Sequence, residues 1–186
     1  MTELYAPIDL RAEAERASRI AAEKGWQRSS WDENFLAKLT LVRGELDEAT
    51  DAALSAMDRS RPTRDDSVEL HTKYGHELAD VAIRLLTIIH DIWGDDWAHA
   101  SIEQRPPMTF GPFCEPDVLF RPMRRSLRSA EEQWRKGTDA SKDFACGALE
   151  DALGELFGAA SASCVWLGHA IRHKQSFNET RPRLVR

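Results

Sequence analysis

Four carboxylates stand in two pairs whose spacing suits metal chemistry: Glu45 with Glu48, and Glu77 with Asp80. Residues three apart in a helix lie one turn apart on the same side, so each pair presents two carboxylates together. Acidic pairs of this kind are also common on solvated helix faces, and the chain contains 31 acidic residues. Neither pair alone predicts a metal site. The prediction depends on where the two pairs lie relative to each other. We call the four residues the acidic quartet.

The hydrophobic patterns around the two pairs place them on the same side of two packed helices. Apolar residues recur at i, i+3 and i+4 along both segments, which predicts two amphipathic helices. At about 100° per residue, the two pairs are offset from their apolar stripes in the same sense. Helices joined by a short connection pack antiparallel, stripe to stripe, so we expect the acidic quartet to converge near mid-helix. The stripes are Phe35, Leu39, Val42, Leu46, Ala49, Ala53 and Met57, and then Tyr74, Leu78, Val81, Leu85, Ile88 and Ile92.

Carboxylates this close repel one another unless cations neutralise them or some of them bind protons. Ligands that are all oxygen suit Mg2+, with Mn2+ as an alternative. A di-iron carboxylate centre would need Glu-x-x-His on two helices, and the sequence contains no such motif. His169 and His173 have the spacing of two zinc ligands, but Ala170 stands where zinc proteases place their glutamate. We therefore expect magnesium at the acidic quartet and interpret both histidines as polar-face residues.

The remaining pattern predicts a single all-α domain over residues 1–186, an antiparallel helical bundle of about five helices. The two stripe-bearing helices are the second and third of these. The segment 94–122, which contains five prolines, predicts an irregular excursion between the third and fourth helices. We predict a first helix capped by Asp9 and stopped at Gly25, a fourth from near Pro122 to Gly137, and a fifth, rich in alanine and glycine, from about 141 to about 173.

A degenerate internal repeat is one interpretation of the second half. Residues 43–49 align with residues 124–130, and residues 77–80 align with residues 148–151. The second half would then be a copy that has mostly lost its acidic pairs. Helical sequences resemble one another easily, so a chance similarity is the alternative.

Composition excludes several classes of function. A net charge of −6 argues against coating DNA or RNA, which requires a basic face. A small polyphosphate remains possible, because a metal ion reverses the local charge. We find no apolar run near the roughly 20 residues that cross a bilayer, and no signal peptide at the start. Cys114, Cys146 and Cys164 lack metal-ligand spacing and indicate reduced thiols. We expect a cytoplasmic protein with no nucleic acid polymer or membrane as partner.

The motifs that contain the acidic quartet resemble those of a known family. The run from Leu39 to Ala49, followed by the run from His76 to Leu86, resembles the MazG-like, all-α nucleoside triphosphate pyrophosphohydrolases. Residues 23–26 are similar to the N-terminal segment of that family, and residues 174–182 are similar to its Lys-x-x-x-Asn-x-x-Arg-Pro ending. The matches cover roughly half of the chain. Each motif is loose, but their order and spacing together are fairly specific. The excursion at 94–140 is longer than in compact family members, and this leaves the substrate open.

The resemblance implies an activity and a set of site residues. It implies Mg2+-dependent hydrolysis of nucleoside triphosphates, dNTP or NTP, to a monophosphate and pyrophosphate by homodimers or larger homo-oligomers. The acidic quartet would bind the metal, while Lys174, Asn178 and Arg181 would contact the substrate. We assign Glu48 as the general base, although any member of the quartet could serve.

Two further residues have a functional and a structural interpretation each. Trp31 can stack on a base, or it can staple the start of its helix onto Leu36. Lys38 can bind substrate from the carboxylate-bearing helix, or it can be a simple surface charge. For the whole chain, the alternative function is a non-catalytic, nucleotide-sensing or scaffold helical bundle. The alanine- and glycine-rich fifth helix is the expected homodimer contact.

Overall fold

The computed structural model describes residues 8–26, 31–58, 64–94, 101–102 and 115–182, with side chains described for 8–26, 34–55, 72–94 and 115–182. Within these ranges the protein is all-α, as predicted, with six helices and one pair of two-residue strands. The helices are α1 (Leu10–Glu23), α2 (Trp31–Asp58), α3 (Arg64–Trp93), α4 (Pro116–Trp134), α5 (Asp139–Ala162) and α6 (Leu167–Thr180). Strand β1 (Ile8–Asp9) pairs antiparallel with β2 (Ser101–Ile102).

The first helix begins and ends as its sequence predicts. The Asp9 carboxylate accepts hydrogen bonds from the backbone N–H groups of Arg11 and Ala12, both at 3.1 Å. These bonds satisfy donors that have no partner inside the helix. Gly25 follows the helix in the left-handed conformation, with φ of 71°, where a Cβ would be strained.

The predicted stripes of α2 and α3 form the centre of the core. The described stripe residues from Phe35 to Ala53 and from Tyr74 to Ile88 are all buried, and Ile92 packs partly buried against them. Met57 lies outside the described side chains. The ring of Trp134 stacks on Phe35 at 4.1 Å and meets Trp93 edge-on at 6.2 Å. These contacts place the start of α2 beside the end of α3, so the two helices run antiparallel.

The predicted start of the fourth helix was wrong. Helix α4 begins at Pro116, six residues before the predicted start, and runs through Pro122. Most of the predicted irregular excursion lies outside the described residues. Pro116 lies in the first turn, where a missing N–H costs nothing. The buried stripe also continues upstream through Pro116 and Phe120, and the side chain of Pro122 is exposed. The gain from burying this stripe outweighs the hydrogen bond lost at Pro122.

The prediction of one long fifth helix was also wrong. The segment 141–173 is divided between α5 and α6 by a turn in which Cys164 adopts φ of 59°. The Cys164 N–H donates to the Ser161 carbonyl at 3.1 Å, and the Val165 N–H donates to the Ala160 carbonyl at 2.8 Å. This pair of bonds is a Schellman motif. The residue in the left-handed position is a cysteine, so the sequence lacks the glycine that usually predicts such a stop.

The burial pattern of α4 and α5 repeats that of α2 and α3. The alignment that places Glu45 on Ser126 and Glu77 on Ala148 also superimposes the two sets of buried residues, while the internal repeat itself stays a prediction. Phe35, Leu39, Val42, Leu46, Ala49 and Ala53 fall on Pro116, Phe120, Met123, Leu127, Ala130 and Trp134, and Tyr74, Leu78, Val81, Leu85 and Ile88 fall on Ala145, Leu149, Ala152, Leu156 and Ala159.

Helices α1 and α6 complete the fold on one side of α3. Both contact α3 and each other, whereas α4 and α5 pack against α2 and α3 respectively. The α2–α3 pair therefore has the α4–α5 pair on one side and the α1–α6 pair on another. Among the described residues, no helix is long and apolar enough to cross a membrane.

Candidate metal and nucleotide site

Three members of the acidic quartet meet where α2 and α3 pack together. One carboxylate oxygen from each of Glu45, Glu48 and Glu77 lies within 4.8 Å of the other two. The offsets from the two apolar stripes produce this convergence for three of the four residues that the sequence predicts to meet. The three residues could therefore hold a divalent cation if their oxygens moved slightly closer together. Oxygen ligands are the type that Mg2+ and Mn2+ prefer.

The fourth member, Asp80, lies beside this group and pairs with a lysine. The Lys174 ammonium nitrogen lies 2.5 Å from Asp80 Oδ2, and both side chains are about one-fifth exposed. Lys174 is on α6, so this ion pair joins the predicted C-terminal motif to the predicted metal motif. The structure thus brings all four acids and Lys174 into one neighbourhood, with Asp80 neutralised by the protein itself.

Arg84 is a site residue that the sequence analysis missed. Its Nε and Nη2 atoms both donate to Glu45 Oε1, at 3.1 and 3.0 Å. Arg84 follows Asp80 by four residues, which places it on the same side of α3. This four-residue spacing is the sequence feature that could have predicted Arg84, and it is weak because arginine is common on helix surfaces.

The electrostatics of the site reflect the crowding of like charges. Burial is the largest cause that raises the pKa of Glu77, and the negative charges of Asp80, Glu48 and Glu45 raise it further. Burial also raises the pKa of Asp80, while the hydrogen bond from Lys174 opposes this shift. Both carboxyl groups therefore give up their protons less readily than in water. A bound cation would offset that cost.

A pocket of about 430 Å³ opens beside the acidic quartet. Its volume lies within the range of roughly 300–1,000 Å³ typical of small-ligand sites. It is bounded by residues of α1, α2, α3 and α6, so acids, cations, amides and an aromatic ring share one space. The lining includes Glu45, Asp80, Arg84, Lys174, Lys38, Gln175, Asn178, Arg181 and Trp26.

The C-terminal motif is held in place by α1. Lys24 donates to the backbone carbonyls of Glu179 and Arg181, at 2.7 and 2.6 Å. Arg16 makes two parallel hydrogen bonds to the Glu179 carboxylate, at 3.0 and 2.9 Å. The Arg181 guanidinium lies 5.3 Å from the centre of the Trp26 ring, which is a cation–π distance. These contacts give the predicted substrate residues Lys174, Asn178 and Arg181 a fixed position on the pocket wall.

Lys38 lies in the pocket wall and is not a simple surface charge. Its side chain is 19% exposed, and its Nζ atom is 3.9 Å from Asp91 Oδ2. Burial is the main cause that lowers the pKa of Lys38 to about 8; the negative charge of Asp91 opposes this shift, and the positive charge of Arg84 adds to it. The side chain of Trp31, which also has a functional and a structural interpretation, lies outside the described residues.

Two amide side chains of α6 are buried on the same pocket wall. Gln175 is fully buried and Asn178 is 6% exposed. The structure brings Asn178 to the pocket as the resemblance implies. Gln175 was missed, because a single glutamine between two motif residues carries no sequence signal.

Comparisons of the chain with protein-family models, with curated proteins and with solved structures give no match.

Proposed function

We propose that this protein is a Mg2+-dependent hydrolase that converts nucleoside triphosphates to a monophosphate and pyrophosphate. The observation that carries the proposal is the meeting of Glu45, Glu48 and Glu77 within 4.8 Å. Glu45 also lines a pocket that contains cationic side chains. The MazG-like resemblance of the motifs supports the choice of substrate and of the bond cleaved.

The charges of the pocket suit a polyphosphate. When bound, the metal ion would polarise the phosphoryl group and make a water molecule more acidic. Lys174 and Arg84 would then turn from the carboxylates that they now neutralise toward the phosphate oxygens. Cations in this position stabilise the negative charge that develops on the leaving pyrophosphate. Lys38, in the same wall, supplies a further cation.

Glu48 is the proposed general base. Among the three grouped carboxylates it is the exposed one, while Glu45 and Glu77 are half-buried. Glu48 can therefore accept a proton from a water molecule that arrives from solvent and pass it back to solvent. Helix α6 would hold Lys174 and Asn178 on the substrate, and Arg181 would meet the substrate from the residue that follows the helix.

We further propose a homodimer in the cytoplasm, with α5 as the contact. A stripe of exposed residues follows one side of α5 at spacings of three and four: Phe144, Gly147, Asp151, Gly154 and Gly158. Glycine in an exposed helix interior costs about 1 kcal/mol relative to alanine, and close packing against another helix can compensate for this cost. Light scattering should give twice the chain mass of 21.1 kDa. A particle of the chain mass at micromolar concentration would refute the dimer.

The second candidate is a non-catalytic nucleotide-sensing or scaffold protein. It is favoured by the ion pairs Lys174–Asp80 and Arg84–Glu45, because they neutralise two of the four acids without any metal. Such a protein would bind nucleotides and release no product.

The deciding experiment measures both products with the purified chain. Each common nucleoside triphosphate is incubated with Mg2+, with Mn2+ and with excess EDTA. We expect pyrophosphate and monophosphate in equal amounts, and only when metal is present. Orthophosphate as the first product would refute the assigned bond, and full activity in EDTA would refute the metal. Binding without turnover for every nucleotide would favour the sensor.

A further inference from the structure

In the pocket wall, a buried acceptor atom of Gln175 has a fixed orientation and no hydrogen-bond partner among the described residues. The Gln175 amide nitrogen donates to the Glu13 backbone carbonyl at 3.0 Å and to Glu13 Oε2 at 3.1 Å. A backbone carbonyl can only accept, so the amide cannot be reversed. Gln175 Oε1 is buried, and it has no hydrogen-bond partner among the described residues. Since nearly all buried acceptors in folded proteins have a partner, this oxygen points to a ligand that donates.

A second acceptor lies one turn along the same helix. Asn178 Oδ1 is also buried without a partner in the described part of the chain. Both residues line the 430 Å³ pocket. Residues three apart share a helix face, so the two oxygens belong to the same side of α6. A ligand group with two N–H bonds, or with two donors side by side, would match them.

The surroundings of the two amides suit a flat ring. Ala17, Ile20 and Ala21 of α1 contribute apolar surface to the same pocket, and Trp26 contributes an aromatic ring. Planar heterocycles bind between such surfaces. Lys174 precedes Gln175 in sequence and pairs with Asp80. A ligand whose phosphates meet Lys174 near the acidic quartet can therefore place its ring beside the amides.

We propose that Gln175, assisted by Asn178, selects nucleotides whose base carries an exocyclic amino group. The proposal rests on the proposed function for the identity of the ligand as a nucleotide. Cytosine and adenine present N–H donors at the position where uracil and hypoxanthine present a carbonyl oxygen. An amino group would donate hydrogen bonds to the two buried amide oxygens. A carbonyl group would leave these oxygens without a donor and would bring another oxygen lone pair toward them. Sites built around a buried polar group reject analogues that cannot pair with it.

The test measures binding, so that it does not depend on turnover. Calorimetry with Mg2+ compares the non-hydrolysable α,β-methylene analogues of CTP with UTP, and of ATP with ITP. Each pair differs at the position in question. We expect the amino member to bind at least about tenfold more tightly in one pair or both. Equal affinities within both pairs would overturn the proposal. If the chain hydrolyses nucleotides but binds both members of each pair equally, the proposed function stands and this inference fails. If it prefers the amino members but hydrolyses no nucleotide, this inference stands and the proposed function fails.

A variant assigns the discrimination to Gln175. Gln175→Met keeps the size of the side chain and removes its carbonyl, so the preference should fall to less than about threefold. Inorganic tripolyphosphate, which has no base, should bind the variant as it binds the original chain. Gln133→Met, in helix α4 away from this pocket, is the matched control and should keep the full preference. A preference that survives intact in Gln175→Met would refute the role of Gln175. If that variant does not fold, Asn178→Leu serves the same purpose, and the comparison of analogues on the unmodified chain still decides.

Discussion

The α2–α3 and α4–α5 pairs share a pattern of buried residues but differ in the residues at the positions of the acidic quartet. The stripe positions from Phe35 to Ala53 and from Tyr74 to Ile88 all have buried counterparts in the second pair. At the functional positions, Glu45 and Glu48 correspond to Ser126 and Ser129, and Glu77 corresponds to Ala148. The apolar stripe is therefore sufficient to pack such a pair. The acidic quartet is not needed for packing, and its clustered charge opposes folding, so its presence in α2–α3 calls for a functional explanation.

The neutralising residues of the two pairs differ as well. In α2–α3, the cations that meet the acids lie on the wall of the pocket: Arg84 with Glu45, and Lys174 with Asp80. In the α4–α5 region, Glu131 of α4 pairs with the exposed Arg135 just after that helix and with Arg43 of α2. Surface pairs of this kind contribute little to stability. The difference suggests that charge in the first pair is arranged for a ligand.

The largest expected effect comes from removing the acids of the first pair. Glu45→Gln, Glu48→Gln, Glu77→Gln and Asp80→Asn should each lower turnover by at least about 100-fold, on the order of 2.7 kcal/mol in barrier. The physical reason is the loss of a metal ligand, or, for Asp80, of the partner that orients Lys174. Steady-state pyrophosphate release measures the effect.

The controls for this series come from both pairs. Asp47 is on α2, but its carboxylate faces Arg124 at 2.8 Å and is 65% exposed. Asp151 is the counterpart of Asp80 in the second pair and is exposed. Asp47→Asn and Asp151→Asn should leave turnover within about twofold, since surface ion pairs are weak. If Glu45 and Asp80 proved as dispensable as Asp47, the two pairs would not differ in function.

A smaller effect is expected at Arg84. Arg84→Met should lower kcat/KM by about tenfold, on the order of 1.4 kcal/mol, because one cation facing the phosphates is lost. Arg128→Met, at an exposed position of α4, is the control and should be silent. An unchanged kcat/KM in Arg84→Met would mean that Arg84 only neutralises Glu45 in the metal-free protein.

The smallest effect concerns stability without metal. Burial and neighbouring acids raise the pKa of Glu77 in the folded protein. A carboxyl group with a raised folded pKa stabilises the fold at low pH, and this contribution is lost as the pH rises through the folded pKa. At pH 7 in EDTA, Glu77→Gln should therefore raise Tm, by about 1–3 °C after allowance for solvent screening.

Added Mg2+ should make the original chain more stable than Glu77→Gln. The proposed Mg2+ site exists only in the folded state and includes Glu77, so Mg2+ should raise the Tm of the original chain more than that of Glu77→Gln. Thermal melts with and without Mg2+ measure both effects. A lower Tm for the variant in EDTA, at neutral pH, would show that the carboxylates do not repel one another as the geometry indicates.

The sequence predicted the parts of the fold that depend on local pattern. The stripes of α2 and α3, the Asp9 cap and the Gly25 stop all follow from spacing or from residue type. The convergence of Glu45, Glu48 and Glu77 follows from the same stripes. These predictions succeeded because a helix converts sequence spacing directly into geometry.

The failures involve long-range or atypical contacts. The turn after α5 has Cys164 where glycine is usual, and the continuation of α4 through Pro122 depends on burial that no local rule measures. Strands β1 and β2 are two residues long, too short to show alternation. The position of Gln175 depends on its contact with Glu13, 162 residues away in sequence.

The contact between α1 and α6 has a consequence for the order in which the protein forms during synthesis. Arg16 and Glu179 are separated by 163 residues, and domains fold as their residues leave the ribosome. The α2–α3 pair can emerge and pack while α6 is still unmade. During that interval the acidic quartet lacks Lys174, and the pocket lacks one wall. The nascent chain therefore passes through a stage that carries the clustered negative charge without Lys174, and the pocket is complete only after α6 has been synthesised and has docked.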